Sequence, residues 1–350
     1  MAKPIRVGLL NDMADAASGP SDVEHWLQWS IDDAALAGRL DRPVEIIKAY
    51  GLGLPGGTAA AVERAYAELV AQDVLMVVGP AIGDNALVAT PLADRHRMPT
   101  LNWAGAERGR SEYMFHLQVG SHEDESLVIA RHSFGLGCRR IAVIYDRSPI
   151  GTRHLRYLQE EAELLGLSIC GAASLSPLAE HAETEVTELL ETNPDGFVYL
   201  GLGLSAPAAA SALTASGWQG PRIMNTAGIR GMAPQFARII NGWLYIDMYS
   251  NDNRTLVEVR KRRGIAAEQS LSAAKGHDLG RLVAEGLARA PELTRDGVKH
   301  GLEQIKWLPA AEGHDGTLLG FGIQDRGALH GRYLVVRQWR DGESVEVALG

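Results

Sequence analysis

At 350 residues the chain is longer than one hydrophobic core usually fills, so two α/β lobes are expected. A net charge of -9 with no long basic run argues against a nucleic-acid surface and leaves small ligands open. Cys138 and Cys170 are the only cysteines, too few for a disulfide framework, and the sequence leaves their pairing undecided. No apolar run is long enough to span a bilayer. The opening MAKPIRVGLL starts a strand where a signal peptide would need a basic and then an apolar region. Localisation is therefore read in two ways, as an exported chain whose leader has been removed or as a cytoplasmic one.

Taken in order, Pro4–Leu10 is a strand and Asn11–Pro20 a turn-rich loop. Ser21 with Glu24 fits a capping box for the helix that follows, which carries Trp26, Trp29, Ala34 and Leu36 on its apolar side. Val44–Tyr50 is the second strand, and Ala59–Ala71 a helix. Between them Gly51, Gly53 and Gly56 have G-x-G-x-x-G spacing, but they follow the second strand and enclose Pro55, so the loop reads as a flexible surface turn or a ligand rim and not as a dinucleotide site. Asp73–Gly105 is a βαβ unit: VLMVVGP, a helix containing NALVATPLADRH, and MPTLNWAG. Its strands point their carboxyl ends at Gly79–Asn85 and Asn102–Ala106, where open α/β sheets hold ligands.

An alternating stretch at Tyr113, Phe115 and Leu117 leads to a helix entered near Ser121 with acidic residues in its first turn. A second series then runs from strand Arg140–Tyr145 through helix Thr152–Leu165, strand Leu167–Ala172, helix Glu180–Glu191, strand Gly196–Leu200 and helix Ala206–Ser216 to strand Arg222–Asn225. That order predicts a second parallel sheet. Gly242–Tyr249 reads as a strand, and Arg254–Arg263, Ser270–Ala290 and Thr294–Gln304 as helices. KRRG at Lys261–Gly264 is a solvated helix exit. The tail alternates in short strands with a DG turn at Asp341-Gly342.

The strings IRVGLL, LVAQDVLMVVGP, ATPLADRHRMPTLNWAG, YMFHLQVGS, GCRRIAVIYDRSPIG, NPDGFVYLGLG and KGHDLGRLVAEGL occur in an order that resembles the type I periplasmic binding proteins of ABC transporters, in the branched-chain amino acid and amide branch. The resemblance implies a two-lobed α/β fold, each lobe a parallel sheet flanked by helices, with three crossovers near residues 120, 247 and 325. Lobe I would be 1–119 and 248–325, and lobe II 120–247 and 326–350. It also implies a ligand held in a cleft that closes by hinge motion. Lobe I would contribute Asn11–Asp15, Ala81–Asn85 and Asn102–Gly105, with Asn11, Asp12, Ile82, Asp84, Asn85, Asn102, Trp103, Ala104 and Gly105 as contacts. Lobe II would contribute Tyr145, Asp146, Ile150, Gly201, Gly203, Thr226 and Ala227, and the G-Y-D pattern at a lobe I helix start becomes Gly276-His277-Asp278, adding His277 and Asp278.

Departures from that pattern bear on the ligand. The loops that commonly carry serine and threonine hydroxyls for an α-carboxylate here read Ile82-Gly83-Asp84-Asn85 and Asn102-Trp103-Ala104. An ionised Asp84 cannot donate a hydrogen bond. Carboxylate partners reduce to Arg108, Arg147 and backbone N–H groups, while Asp84, Asp146 or Asp278 could take an ammonium. An aromatic or amide solute therefore fits better than a standard α-amino acid, with Trp103 either a stacking wall or a core aromatic. His116 reads as structural, and His277-Asp278 as either contacts or a helix cap.

No G-x-S-x-G or HExxH occurs, so the sequence offers no nucleophile elbow or catalytic zinc, and no enzyme, cofactor or metal is expected. Asp12, Asp84, Asp146 and Asp278 are explained as polar contacts. The expected partners are a small molecule and a membrane ABC permease, with the chain a monomer that delivers its solute. The alternative is a cytoplasmic amide sensor read by a regulator.

Overall fold

The structure, a computed structural model, describes residues 3–14 and 22–348. The chain begins with β1 (Ile5–Asn11), α1 (Asp22–Leu36), β2 (Val44–Tyr50), α2 (Ala59–Ala71), β3 (Met76–Val78), α3 (Gly83–Arg95), β4 (Thr100–Asn102) and β5 (Met114–His116). It continues with α4 (His122–Gly135), β6 (Arg140–Asp146), α5 (Pro149–Leu165), β7 (Ser168–Leu175), α6 (Glu183–Glu191), β8 (Gly196–Leu200), α7 (Ala206–Ala215), β9 (Arg222–Met224), the short α8 (Pro234–Ala237) and β10 (Leu244–Asp247). Then come α9 (Arg254–Arg263), α10 (Ser270–Ala288), α11 (Arg295–Glu303), β11 (Leu308–Pro309), β12 (Leu318–Leu319), β13 (Leu329–His330), β14 (Val335–Arg340) and β15 (Glu343–Glu346).

Two compact units result, Met1–Val119 with Tyr249–Tyr333, and Gly120–Met248 with Leu334–Gly350. The first holds a five-stranded parallel sheet in the order β2-β1-β3-β4-β5 and a small antiparallel sheet β11-β12-β13. The second holds a seven-stranded sheet, β15-β14-β10-β9-β8-β6-β7, parallel from β7 to β10 and antiparallel at β14 and β15. The sequence reading ends lobe I at residue 325, whereas residues 326–333 sit with the first unit. The reason is local: β13 pairs with β12, and the Arg326 guanidinium meets Glu303 at 2.7 Å. The DG turn does close the last hairpin, with Asp341 and Gly342 both at positive φ.

Helix ends follow their sequence signals. Ser121, Ser148 and Asn253 accept from the backbone N–H three residues on, starting α4, α5 and α9, and left-handed Gly166 and Gly264 stop α5 and α9. Pro149 lets α5 begin earlier than the sequence reading placed it. Ser21 and Asp15, called as a cap and as part of a ligand loop, lie outside the described residues. Among the described residues no helix is long and apolar enough to cross a membrane. Both cysteines are free thiols.

In the first unit the core joins Val7, Leu9, Met76, Val78, Leu101 and Phe115 of the sheet to Leu27 and Ile31 of α1 and to Leu279, Leu282 and Val283 of α10. Each such side chain contributes roughly 1.5–3 kcal/mol on full burial. α1 and α10 approach closely because Gly276 and Gly280 carry no Cβ. One added at Gly276 would lie 2.4 Å from Trp26 Cβ and 2.6 Å from the Val23 carbonyl oxygen, and one at Gly280 would lie 2.4 Å from the Leu27 oxygen. Alanine normally favours a helix by up to about 1 kcal/mol over glycine. Here the clash with backbone outweighs that gain, and Gly276→Ala is expected to lower stability by about 1–3 kcal/mol in a urea titration.

Candidate functional site

At the carboxyl end of the first unit's sheet, Asp12 is buried directly after β1. It accepts hydrogen bonds from Ala81 N (2.8 Å), Ile82 N (3.0 Å) and Asn85 Nδ2 (2.8 Å). Burial raises its pKa, and those three bonds pull it back down. Asn85 is also buried and takes Leu54 N on its Oδ1 at 2.8 Å. The glycine loop is thereby clamped: Gly51 and Gly53 are buried, Gly53 N donates to the Asp12 carbonyl, and a Cβ at Gly53 would lie 2.3 Å from Asn85 Nδ2. The flexible-turn reading of this loop is thus corrected, because Gly53 makes room for the Asn85 side chain and Gly51 packs on the Ala61 carbonyl. Asp12 and Asn85, both named as ligand contacts from sequence, hold the loops together, and Asp12 also lines the pocket beside Trp103.

The β4 loop is locked in the same manner. Asn102 is buried, donates to the Gly109 and Phe115 carbonyls at 2.7 and 2.9 Å, and accepts from Ala104 N at 3.3 Å. His116 Nδ1 faces Arg110 Nε at 3.0 Å, and since a guanidinium only donates, Nδ1 accepts and Nε2–H donates to the Ala104 oxygen at 2.5 Å. His116 is structural, as the sequence suggested. Trp103 sits on this locked loop with its backbone N–H on the Pro80 oxygen at 3.1 Å. It is half-buried and lines a small pocket with Leu9, Leu10, Asn11, Asp12, Met13 and Glu24. The Lys275 ammonium lies 5.9 Å from the Trp103 ring centroid, and Glu24 takes Lys48 at 2.6 Å. Asn11 keeps Met13 N on its Oδ1 at 3.0 Å. Ile82, Asp84 and Gly105 are half-buried, Ala104 is fully buried, and Arg108 is exposed. Sequence reasoning missed Lys275 and Glu24; Lys275 stood one residue before the Gly276-His277-Asp278 string, and Glu24 had been assigned to a cap.

The remaining first-unit calls fall inside α10. His277 and Asp278 lie two turns into the helix, not at its start, so neither caps it. Asp278 is buried and accepts from Ala311 N and Glu312 N at 2.9 Å, tying α10 to the segment after β11. Burial pushes its pKa up to about 7. The His277 backbone oxygen takes Ser30 Oγ at 3.0 Å.

The second unit repeats the device. Asp146, buried at the end of β6, accepts from Tyr199 OH (2.9 Å), Ser205 Oγ (2.5 Å) and Leu202 N (2.8 Å), and burial raises its pKa against those bonds. Gly201 is required there, since a Cβ would lie 2.2 Å from Asp146 Oδ2. Asn225 brackets Gly201 through both its N–H and its carbonyl, and Glu125 accepts from Thr226 N at 2.7 Å. Ile150, called as a contact, is buried in the first turn of α5, and Gly201, Gly203 and Ala227 are buried too. Tyr145 and Thr226 are half-buried and Arg147 is exposed.

Burial holds three histidines neutral: His116 and His154 are pushed down to about 3 and His277 to about 4, with Arg110, Arg153 and Arg281 adding to the depression in turn. In the unfolded chain these groups titrate near ~6.5. Between the two values the unfolded chain binds more protons, so their contribution is complete above pH ~6.5 and is lost as pH falls toward ~3. Asp278 acts in the opposite sense, its contribution present below pH ~4 and lost as pH rises through about 7. Comparing His154→Gln with the parent separates the two: the variant's urea midpoint should fall less steeply from pH 6.5 to 4 (roughly the window set by those shifts). An unchanged slope would show that His154 is not held neutral.

No curated protein sequence matches the chain. Solved structures do. A leucine-binding protein from Thermotoga maritima is 14% identical over 98% of both chains with a TM-score of 0.80. A periplasmic binding protein type 1 from Bordetella pertussis Tohama I is 14% identical, with 99% of this chain and 100% of that one covered and a TM-score of 0.83. An ABC transporter solute-binding protein from R. palustris, solved in complex with 4-hydroxybenzoate, is 15% identical, with 99% and 96% covered and a TM-score of 0.78. At such identities these show the two-lobed α/β fold. The family model described as periplasmic binding protein matches residues 4–342. A match over nearly the whole chain, on a fold with a parallel sheet in each unit, places this protein in the periplasmic binding protein family.

Proposed function

We propose that this protein captures a small organic solute with a planar, aromatic portion against Trp103 in the periplasm and delivers it to an ABC permease. The observation that carries the reading is Trp103 itself, a half-buried indole on a pinned loop, lining a small pocket with the apolar Leu9, Leu10 and Met13 and the polar Asn11, Asp12 and Glu24. Small-molecule sites are concave and mostly apolar, with few polar groups that orient the ligand. Family membership supports the permease as partner.

Asn85 and Asn102, the strand-end amides that an amide solute would pair with, have their side-chain amides committed inside the fold. Two of the carboxylates that could have held an ammonium, Asp146 and Asp278, are likewise buried and bonded. Both facts weigh toward an aromatic solute and away from an amide or a standard amino acid. The R. palustris relative holding 4-hydroxybenzoate is an instance of this fold accommodating an aromatic acid in another protein.

A thermal-shift panel of amino acids, aromatic acids, amides and polyamines tests the reading. A ligand at about 100 times its Kd stabilises the folded chain by about 2.7 kcal/mol. An aromatic compound should raise the melting temperature of the parent and leave Trp103→Ala unshifted. A shift confined to aliphatic amino acids, undiminished in that variant, would sink the proposal.

A further inference from the structure

We infer that the outer edge of β7 is a self-association surface, at which a second copy of this chain pairs antiparallel, β7 against β7. The sequence reading expects a monomer, and the pairing is independent of which solute the protein carries.

A sheet edge exposes a row of N–H and C=O groups, and folds commonly protect it with charge, proline or a covering segment. Three edges of the two large sheets are protected in this way. β2 carries Glu45 and Lys48, both exposed. β5 is covered by the chain after Asp325, with His116 N on the Arg326 oxygen at 2.9 Å and Ala328 N on the His116 oxygen at 2.8 Å. β15 carries Glu343 and Glu346. The remaining edge, β7, reads SICGAASL, with neither a charge nor a proline along its whole length. Among the described residues its strand partner is β6 alone.

The backbone of this edge is regular enough to take a strand. Its register with β6 shifts once, where Cys170 is the extra residue, and then holds from Gly171 to Leu175. The Leu175 oxygen points to the β6 side, where it accepts from Arg147 N at 2.7 Å, so alternation along the strand turns the backbone groups of Ala172 and Ser174 outward. In an antiparallel pair, Ala172 of each copy meets Ser174 of the other and closes the ladder.

Two exposed leucines select a second copy over an unrelated strand. Leu164, 82% exposed, lies just before β7 at the end of α5, and Leu178, 58% exposed, lies just after it. A two-fold axis through the paired strands brings the end of one to the start of the other, so Leu164 of each copy and Leu178 of the other come to the same end. The uncharged edge also lets two chains of net charge -9 approach without setting like charges directly opposite. Exposed Glu163 and Glu180 flank the strand, and the repulsion they add is screened by salt.

Sedimentation equilibrium of the full chain, from about 5 to about 500 µM in about 0.05 and about 0.5 M NaCl, tests the pairing. An interface of this kind stands at the low end of stable ones, roughly 1,200 Å², so a monomer–dimer equilibrium with Kd of about 10–100 µM is expected, tighter at the higher salt. Hydrogen exchange at the Ala172 and Ser174 amides should slow as the protein is concentrated. Ala172→Lys puts a charge on the edge at an exposed position, and should weaken association about tenfold or more while melting with the parent in dilute solution. Leu178→Lys, outside the strand, should weaken it about threefold or more, and it carries the test if Ala172→Lys melts early. A parent that stays monomeric over the whole range overturns the inference. A dimer that forms equally well in both variants, with exchange at Ala172 and Ser174 independent of concentration, overturns it too, because another surface then holds the copies together.

Discussion

A buried carboxylate at the end of the first strand of each unit is the constraint on which the site depends. Asp12 follows β1 and gathers backbone N–H groups from the loop after β3; Asp146 ends β6 and gathers one from the loop after β8, the third strand of its own unit. Each lies in a sheet with the same parallel order, second strand, first, third, fourth, fifth. A carboxylate buried this deeply is tolerated only when its lone pairs are met, and here backbone N–H groups, amides and hydroxyls meet them. The loops that would touch a solute are therefore fixed before any solute arrives.

That rigidity separates two jobs that look alike in sequence. Polar residues at strand ends can contact a ligand or hold their loops in place, and the side chains of Asp12, Asn85, Asn102, Asp146 and Asn225 all hydrogen-bond within the fold. What they hold in place in the first unit is Trp103, with Lys275 near its ring. A preorganised aromatic wall loses less conformational entropy on binding than a mobile one, which is how a site with few polar groups can still be selective.

Much of the architecture was legible because it depends on short-range patterns. Val44–Tyr50 and Ala59–Ala71 fall where apolar periodicity placed them, and the caps at Ser121 and the stop at Gly166 follow from local backbone chemistry. Other readings failed for an identifiable reason. The glycines at 51 and 53 suggested mobility, yet the missing Cβ of Gly53 admits the Asn85 side chain and that of Gly51 admits the Ala61 carbonyl of α2. His277 and Asp278 suggested a helix entry, but α10 starts at Ser270, and the stripe of small residues through Gly276 and Gly280 reflects close packing on α1. Ile150 looked like a loop contact until Ser148 and Pro149 began α5 beneath it.

By itself the sequence determined the alternation of strands and helices, the division into two α/β units and the likeness to a solute-binding family, because periodicity, turn residues and element order are properties of neighbours along the chain. Only the tertiary structure decided which strand-end side chains are committed. Whether Asn102 meets a solute or the Phe115 carbonyl, and whether the Trp103 N–H finds an acceptor, depends on atoms brought together from distant segments, and a hydrogen bond saturates a group whose residue type alone leaves every partner open.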